Sequence, residues 1–275
     1  MAYATNALDG GLVHFEDDGG PGPVVVVHGG FWEPIELVRG SPPSGELPTD
    51  EFRLVYVDHR GHGRSYKPHD PAAYAMPLRV ADAIAVLDEL AVDRAHFLGM
   101  SWGGRLGFGI GEHAPERVRS LVIGGQQPYA WPESPLVRVV TEGLAAARRD
   151  GSFEPFLAAV EAFWGIRFAD DRRAVELDND PVALDAAWRA SLAEGPISED
   201  LTAWRVPCLV FLGAGDVDFV VGARRAADEI PDAEFLAVTD RDHWGAHSTP
   251  DQAVLEAVLC TLRRADQPHT SALGP

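Results

Sequence analysis

The stretch that most restricts what this chain can become is Gly99-Met100-Ser101-Trp102-Gly103-Gly104, a serine set among glycines where an apolar run meets a helical pattern. Ala95-His96-Phe97-Leu98 before it has strand length, while Leu106, Phe108 and Ile110 after it, with Pro115 as a stop, predict one short helix. A serine lifted above a sheet at such a junction needs a sharp, strained turn. Strand and helix then approach too closely for a Cβ at Gly99 or Gly103. The helix N-terminus also points at the serine and favours negative charge developing there. A Gly-x-Ser-x-Gly turn alone also fits, less well, a plain loop between two elements. The decision rests on whether a base, an acid and a second backbone donor stand at suitable places elsewhere.

Taken in order, the chain alternates strands and helices. Leu12 to Glu16 predicts a hairpin strand with Asp17-Asp18-Gly19-Gly20 as its turn. Val24 to Val27 is a continuous β-branched run, the mark of a strand covered on both faces, and it ends in His28-Gly29-Gly30-Phe31-Trp32. Arg53 to Asp58 is a further strand closing on His59-Arg60-Gly61-His62-Gly63-Arg64-Ser65. A helix follows with Val80, Ile84, Leu87 and Leu90 on one face, and then the Ser101 strand. Arg119 to Gly124, Pro207 to Gly213 and Glu234 to Val238 supply three more strands. This alternation predicts an α/β fold, a mostly parallel sheet with helices on both faces, whose functional loops sit at the carboxyl ends of the strands. Between 126 and 204 the alternation stops and helical patterns take over, which predicts an inserted helical cap on a core of 1–125 and 205–275. Four of the seven tryptophans, Trp131, Trp164, Trp188 and Trp204, fall there. They fit the region's own small core more readily than the wall of an apolar pocket, so none is a candidate site residue.

Composition narrows the partners. With 23 basic against 42 acidic residues, the net charge of −19 repels phosphate backbones and anionic membranes. Nucleic acid and lipid surfaces are therefore not expected, and a small-molecule substrate is; a monomer and a homo-oligomer are equally compatible. Met1 to Asn6 carries neither a basic stretch nor an apolar one, so no secretory signal is expected, and no apolar run approaches the roughly 20 residues a membrane span needs. Cys208 and Cys260 read as small buried hydrophobes rather than a disulfide, in keeping with a cytoplasmic protein.

Five segments together, His28-Gly29-Gly30, Asp58 to Ser65, Gly99 to Gly104, Gly213-Ala214-Gly215-Asp216 and Asp242-His243, resemble the α/β-hydrolase superfamily. The resemblance spans about Val24 to Arg264 and is weakest in the cap region. It implies the α/β-hydrolase fold and a catalytic triad in the order serine, acid, histidine, here Ser101, Asp216 and His243. A serine hydroxyl is a poor nucleophile until an imidazole takes its proton, and the imidazole needs a carboxylate to hold its tautomer. Among ten histidines, His243 follows the last strand, with His247 in the same loop as runner-up. Asp216 follows the Gly-x-x-Asp spacing, with Asp218 its close rival; Asp240 and Asp242 read as solvated turn residues. The oxyanion hole implied is the backbone N–H of Trp102 with that of Gly30, Phe31 being the alternative second donor. Phe31 and Trp32 are candidate substrate-binding residues. His28 corresponds to a structural, hydrogen-bonding histidine of the family. Asp58, His59 and His62 also fit a metal site by spacing, but they match the family's structural turn, and neither a metal nor a cofactor is expected.

The activity implied is hydrolysis of an ester or lactone of a small, fairly apolar substrate through an acyl-enzyme on Ser101. Serine in place of aspartate at the turn argues against the family's dehalogenases and epoxide hydrolases. The His28, Asp58 and Ser101 segments also resemble proline iminopeptidases, although Phe31-Trp32 stands where those continue Pro-Gly. That reading needs cap carboxylates for a free amine, for which Glu161 and Glu194 are the candidates. Carbon-carbon bond hydrolysis, acyl transfer and a non-catalytic small-molecule receptor on the same fold stay open.

Overall fold

A computed structural model describes residues 2–267, apart from the side chain of His247. Its eight strands, β1 (Ala2–Thr5), β2 (Leu12–Asp17), β3 (Val24–His28), β4 (Arg53–Val57), β5 (Ala95–Met100), β6 (Val118–Gly124), β7 (Cys208–Gly213) and β8 (Ala233–Val238), form one sheet in the order β1-β2-β4-β3-β5-β6-β7-β8. From β4 to β8 every pairing is parallel, while β1 and β2 add an antiparallel edge. The expected hairpin differs in detail. β2 pairs with β1 across Asn6 to Gly11, and Asp17 to Gly20 instead carries the chain to β3, because β4 lies between β2 and β3. No local turn signal reveals that a strand arriving later takes the neighbouring place.

Alternate residues of each strand feed two apolar layers, as the two-residue period of a strand requires. Val26, Val55, Phe97, Ile123 and Val210 face α2 (Met76–Glu89), α3 (Trp102–His113) and α8 (Val220–Glu229). Val25, Val27, Leu54, Leu98 and Leu209 face α1 (Ile35–Val38) and α10 (Gln252–Asp266). All five residues of β3 are buried, as a strand covered on both faces demands.

Between β6 and β7 the chain builds four helices, α4 (Pro135–Asp150), α5 (Glu154–Trp164), α6 (Asp170–Leu177) and α7 (Pro181–Ala193). Local chemistry sets their ends. Ser134 caps α4 by accepting from the N–H of Val137, Gly151 ends it in the left-handed region, and Asp180 caps α7 by accepting from Val182 and Ala183. Their apolar faces continue the same core that α2 and α3 enter. Among the described residues no helix is long and apolar enough to cross a membrane. Cys208 is buried in β7 as expected, whereas Cys260 is exposed on α10, so only the first acts as a core residue. Residues 268–275 lie outside the described residues.

The parallel register sets the carboxyl ends of β3, β5, β6, β7 and β8 side by side, with His28 beside Gly99, Met100 beside Gly124, and Gly213 beside Val238. Packing in this row is tight at the Ser101 turn: a Cβ on Gly103 would lie 2.6 Å from the carbonyl oxygen of His28 and 2.8 Å from that of Gly29. Backbone on both sides cannot retreat. Gly103→Ala should therefore cost about 1–3 kcal/mol, the usual penalty of overpacking, visible as a lower urea midpoint. An unchanged midpoint would contradict this account of the turn.

Candidate active site

Ser101 sits between β5 and α3 with φ 50° and ψ −105°, a conformation that costs a non-glycine residue about 1–3 kcal/mol. Two backbone bonds hold it there. The N–H of Ser101 donates to Gly124 at 2.8 Å, and that of Gly103 donates to Gly29 at 3.0 Å, so the turn is pinned to β6 on one side and to the loop after β3 on the other. The absence of a side chain at Gly99, where a Cβ would lie 2.3 Å from the Gly103 carbonyl oxygen, lets strand and helix meet.

His243 opens α9 (His243–Ser248) rather than lying in an open loop, because Asp242 caps that helix by accepting from the N–H of Gly245 at 2.7 Å. The ring reaches both partners. Nδ1–H donates to Asp216 Oδ2 at 2.7 Å, which leaves Nε2 as the acceptor for the Ser101 hydroxyl at 3.0 Å. Asp216 is buried and Asp218 only partly so; it is Asp216 that meets the imidazole. Burial works against a charged His243, but the charge of Asp216 and its hydrogen bond outweigh burial and hold the imidazole above its ordinary pKa. Asp242 is exposed, as a solvated turn residue should be. The side chain of His247 lies outside the described residues.

Gly30, Phe31 and Trp32 line the pocket over Ser101. The loop that carries them is held from three sides. Asp58 accepts from the N–H of Ile35 at 2.8 Å, His59 Nε2–H donates to the carbonyl of Gly29 at 3.1 Å, and Asn179 of the inserted segment donates to the carbonyl of Trp32 at 3.0 Å. His28, expected to be the hydrogen-bonding histidine, is not. Both its ring nitrogens lack a hydrogen-bond partner among the described residues, and the ring packs against His59 and Phe97 at 4.5 and 5.3 Å. Burial pushes its pKa down to about 3 and that of His62 to about 4, so both are neutral packing residues near neutral pH. Among the described residues no group of three or more histidine, cysteine, aspartate or glutamate side chains is placed to hold a metal ion.

The pocket is a tryptophan box. Trp32, Trp102, Trp131, Trp164, Trp188 and Trp244 line it, with Phe31, Phe219 and three aliphatic residues of α4. The enclosed space is about 40 Å³, room for a few waters. Of the four tryptophans in the inserted segment, three therefore face the pocket, and only Trp204 packs elsewhere, against Phe108. Their apolar character marks these residues as candidates for burial without saying which interior they face. Beneath the floor, the guanidinium of Arg79 lies 4.2 Å from the Trp102 ring, and Arg105 donates to the carbonyl of Tyr129 at 3.0 Å.

The cap carboxylates proposed for a free amine are engaged elsewhere. Glu161 accepts from the N–H of Phe168 and pairs with Arg173, while Glu194 lies between Arg79 and Arg105. The carboxylate that does border the pocket is Glu33, which the sequence reading missed although it stands three residues after Gly30. Its Oε2 accepts from the N–H of Gly30 at 2.9 Å, and its Oε1 pairs with Arg172 at 2.8 Å. Arg172 also pairs with Glu176 at 2.8 Å, and Glu176 accepts from the indole N–H of Trp32 at 3.2 Å. The i, i+4 spacing of Arg172 and Glu176 was the available signal for half of this network.

A family model described as the alpha/beta hydrolase fold matches residues 22–180. The chain belongs to that family, and the hydrolase class of protein follows from it. A 3-oxoadipate enol-lactonase 2 of Acinetobacter baylyi is 31% identical over 227 residues, covering 78% of this chain and 80% of that one. A proline iminopeptidase of Lacticaseibacillus rhamnosus is 27% identical over 254 residues, covering 79% and 86%. Among solved structures, a hydrolase from Pseudomonas aeruginosa PA01 superposes with a TM-score of 0.78 at 26% identity, over 95% of this chain and 97% of that one.

The Arg172 network yields a test of stability. Burial pushes the Glu176 carboxyl up to about 7 against the pull of Arg172 and the Trp32 N–H. The folded state thus holds this proton more tightly than the unfolded chain, and its contribution is lost as pH rises from the ordinary glutamate range through about 7. Glu176→Gln removes that titration. Urea denaturation at about pH 5 and about pH 8 should show the variant gaining on the native protein at the higher pH, and a constant difference would contradict the burial argument.

Proposed function

We propose that this protein is a serine hydrolase that cleaves an ester or lactone of a small, fairly apolar acyl group, with Ser101 as nucleophile. The observation that carries the reading is the continuous relay from the Ser101 hydroxyl through His243 to the buried Asp216, at 3.0 and 2.7 Å. As the Ser101 oxygen bonds to the substrate carbonyl carbon, its proton passes to His243 Nε2, and Asp216 stabilises the imidazolium. The carbonyl oxygen becomes an oxyanion facing the N–H groups of Trp102 and Gly30, each worth about 3 kcal/mol in the transition state. His243 then gives its proton to the departing alkoxide. Water, deprotonated by the same ring, releases the acid and restores Ser101.

The tryptophan box supports a small apolar acyl group, since its wall is mostly indole, phenyl and aliphatic side chains. The inserted helices act in this reading as a cap that excludes water. The likeness to an enol-lactonase supports the lactone form of the reaction. The likeness to a proline iminopeptidase carries less weight, because Glu161 and Glu194, which would have to receive a free amine, face away.

A fluorophosphonate probe should label the native protein and not Ser101→Ala, and p-nitrophenyl acetate and butyrate should turn over faster than the octanoate. Absence of labelling in the folded native protein would overturn the mechanism and favour a non-catalytic receptor. Asp216→Asn should lower kcat by about 10⁴-fold, as loss of the tautomer-holding acid does elsewhere. In the native protein kcat/KM should fall as pH drops through the pKa of His243, above the ordinary imidazole value, because only the neutral ring accepts the serine proton. A flat acid limb would exclude His243 as the base.

A further inference from the structure

Of the two N–H groups assigned to the oxyanion, that of Gly30 already has a partner. It donates to Glu33 Oε2 at 2.9 Å, and the other carboxylate oxygen is held by Arg172 at 2.8 Å. Glu33 is nearly buried, and it borders two spaces at once: the tryptophan pocket over Ser101, and a second cavity of about 310 Å³ lined by Arg39, Ser44, Met100, Arg172 and Trp244 among others. A carboxylate and a developing oxyanion cannot share one N–H. Both are anions seeking the same donor, and side by side in a dry site they repel.

We propose that Glu33 blocks the oxyanion hole of the free protein, and that acylation requires its carboxylate to leave Gly30 for the second cavity. Arg172 lies on the wall of that cavity, so the side chain can swing while keeping its ion pair. Arg172 stands on α6, whose Glu176 also grips Trp32 of the Gly30 loop. The same helix of the inserted segment therefore holds both the blocking side chain and the loop it blocks, and a movement of α6 on filling the pocket would act on the oxyanion hole directly.

This inference rests on the serine-hydrolase reading, and the experiment separates the two. The second-order rate of fluorophosphonate labelling and kcat/KM for p-nitrophenyl acetate are measured for the native protein, Glu33→Gln and Glu33→Ala, with thermal melts to confirm folding. The near-isosteric glutamine keeps the packing but replaces a charge-assisted bond by a weaker neutral one. Both rates should rise in the order native, Gln, Ala, the last by about ten- to a hundredfold, the span of a net hydrogen bond to a charged group. Alkylation of His243 by iodoacetamide, which builds no oxyanion, should stay the same across the three. Labelling of the native protein with equal or slower rates in both folded variants would overturn the block alone. No labelling in any of the three would overturn the serine mechanism with it. A uniform rise that includes alkylation of His243 would also overturn the block, since it would report general opening of the pocket.

Discussion

The structure depends on one backbone constraint, the strained turn at Ser101 wedged between two neighbours in the sheet. Its N–H bonds to Gly124 at the end of β6, and the next turn's N–H bonds to Gly29 after β3. Those bonds hold a φ of 50° that a free chain would leave at once. They also tie the serine to the loop carrying Gly30, so the two segments share one frame. The register of β3, β5 and β6 is thus more than scaffolding. A slip by one residue would turn side chains to the opposite face and dissolve this arrangement.

Around that frame the protein divides its polar groups by burial. The relay of Asp216, His243 and Ser101 is short, whereas His28 and His62 are buried and neutral, the first packed against aromatic rings and the second bonded through Nδ1 to the Arg60 carbonyl. On the pocket side aromatic and aliphatic side chains predominate. On the far side of Trp102 lies a basic layer, Arg79 and Arg105 sharing Glu194, where burial lowers the pKa of both arginines. Arg79 and Arg105 stay out of the pocket's lining, while the Glu33–Arg172 pair, at the pocket's edge, is the point where charge meets the loop carrying Gly30.

Much of this was legible in the residues. The valine run of β3, the Ser101 turn and the succession of strands marked a parallel α/β sheet, because burial on both faces and close backbone approach each leave a local trace in residue type. The place of β4 between β2 and β3 left none, and the Asp17–Gly20 turn therefore misled. The same limit applies to the inserted helices. Trp131, Trp164 and Trp188 are candidates for burial by residue type, yet residue type does not say whether they fill the segment's own core or the space above Ser101.

The sequence by itself determined the fold class, the strand and helix succession and the sharp turn at Ser101, since each rests on local geometry that only certain residue types permit. Tertiary structure alone decided that Asp216 rather than Asp218 meets His243, that Glu161 and Glu194 turn to arginines, and that Glu33 reaches Gly30. The reason is physical. Local propensity is set by neighbours along the chain, but the partner of a charged side chain is set by whichever elements the sheet order and the inserted helices bring within about 3 Å.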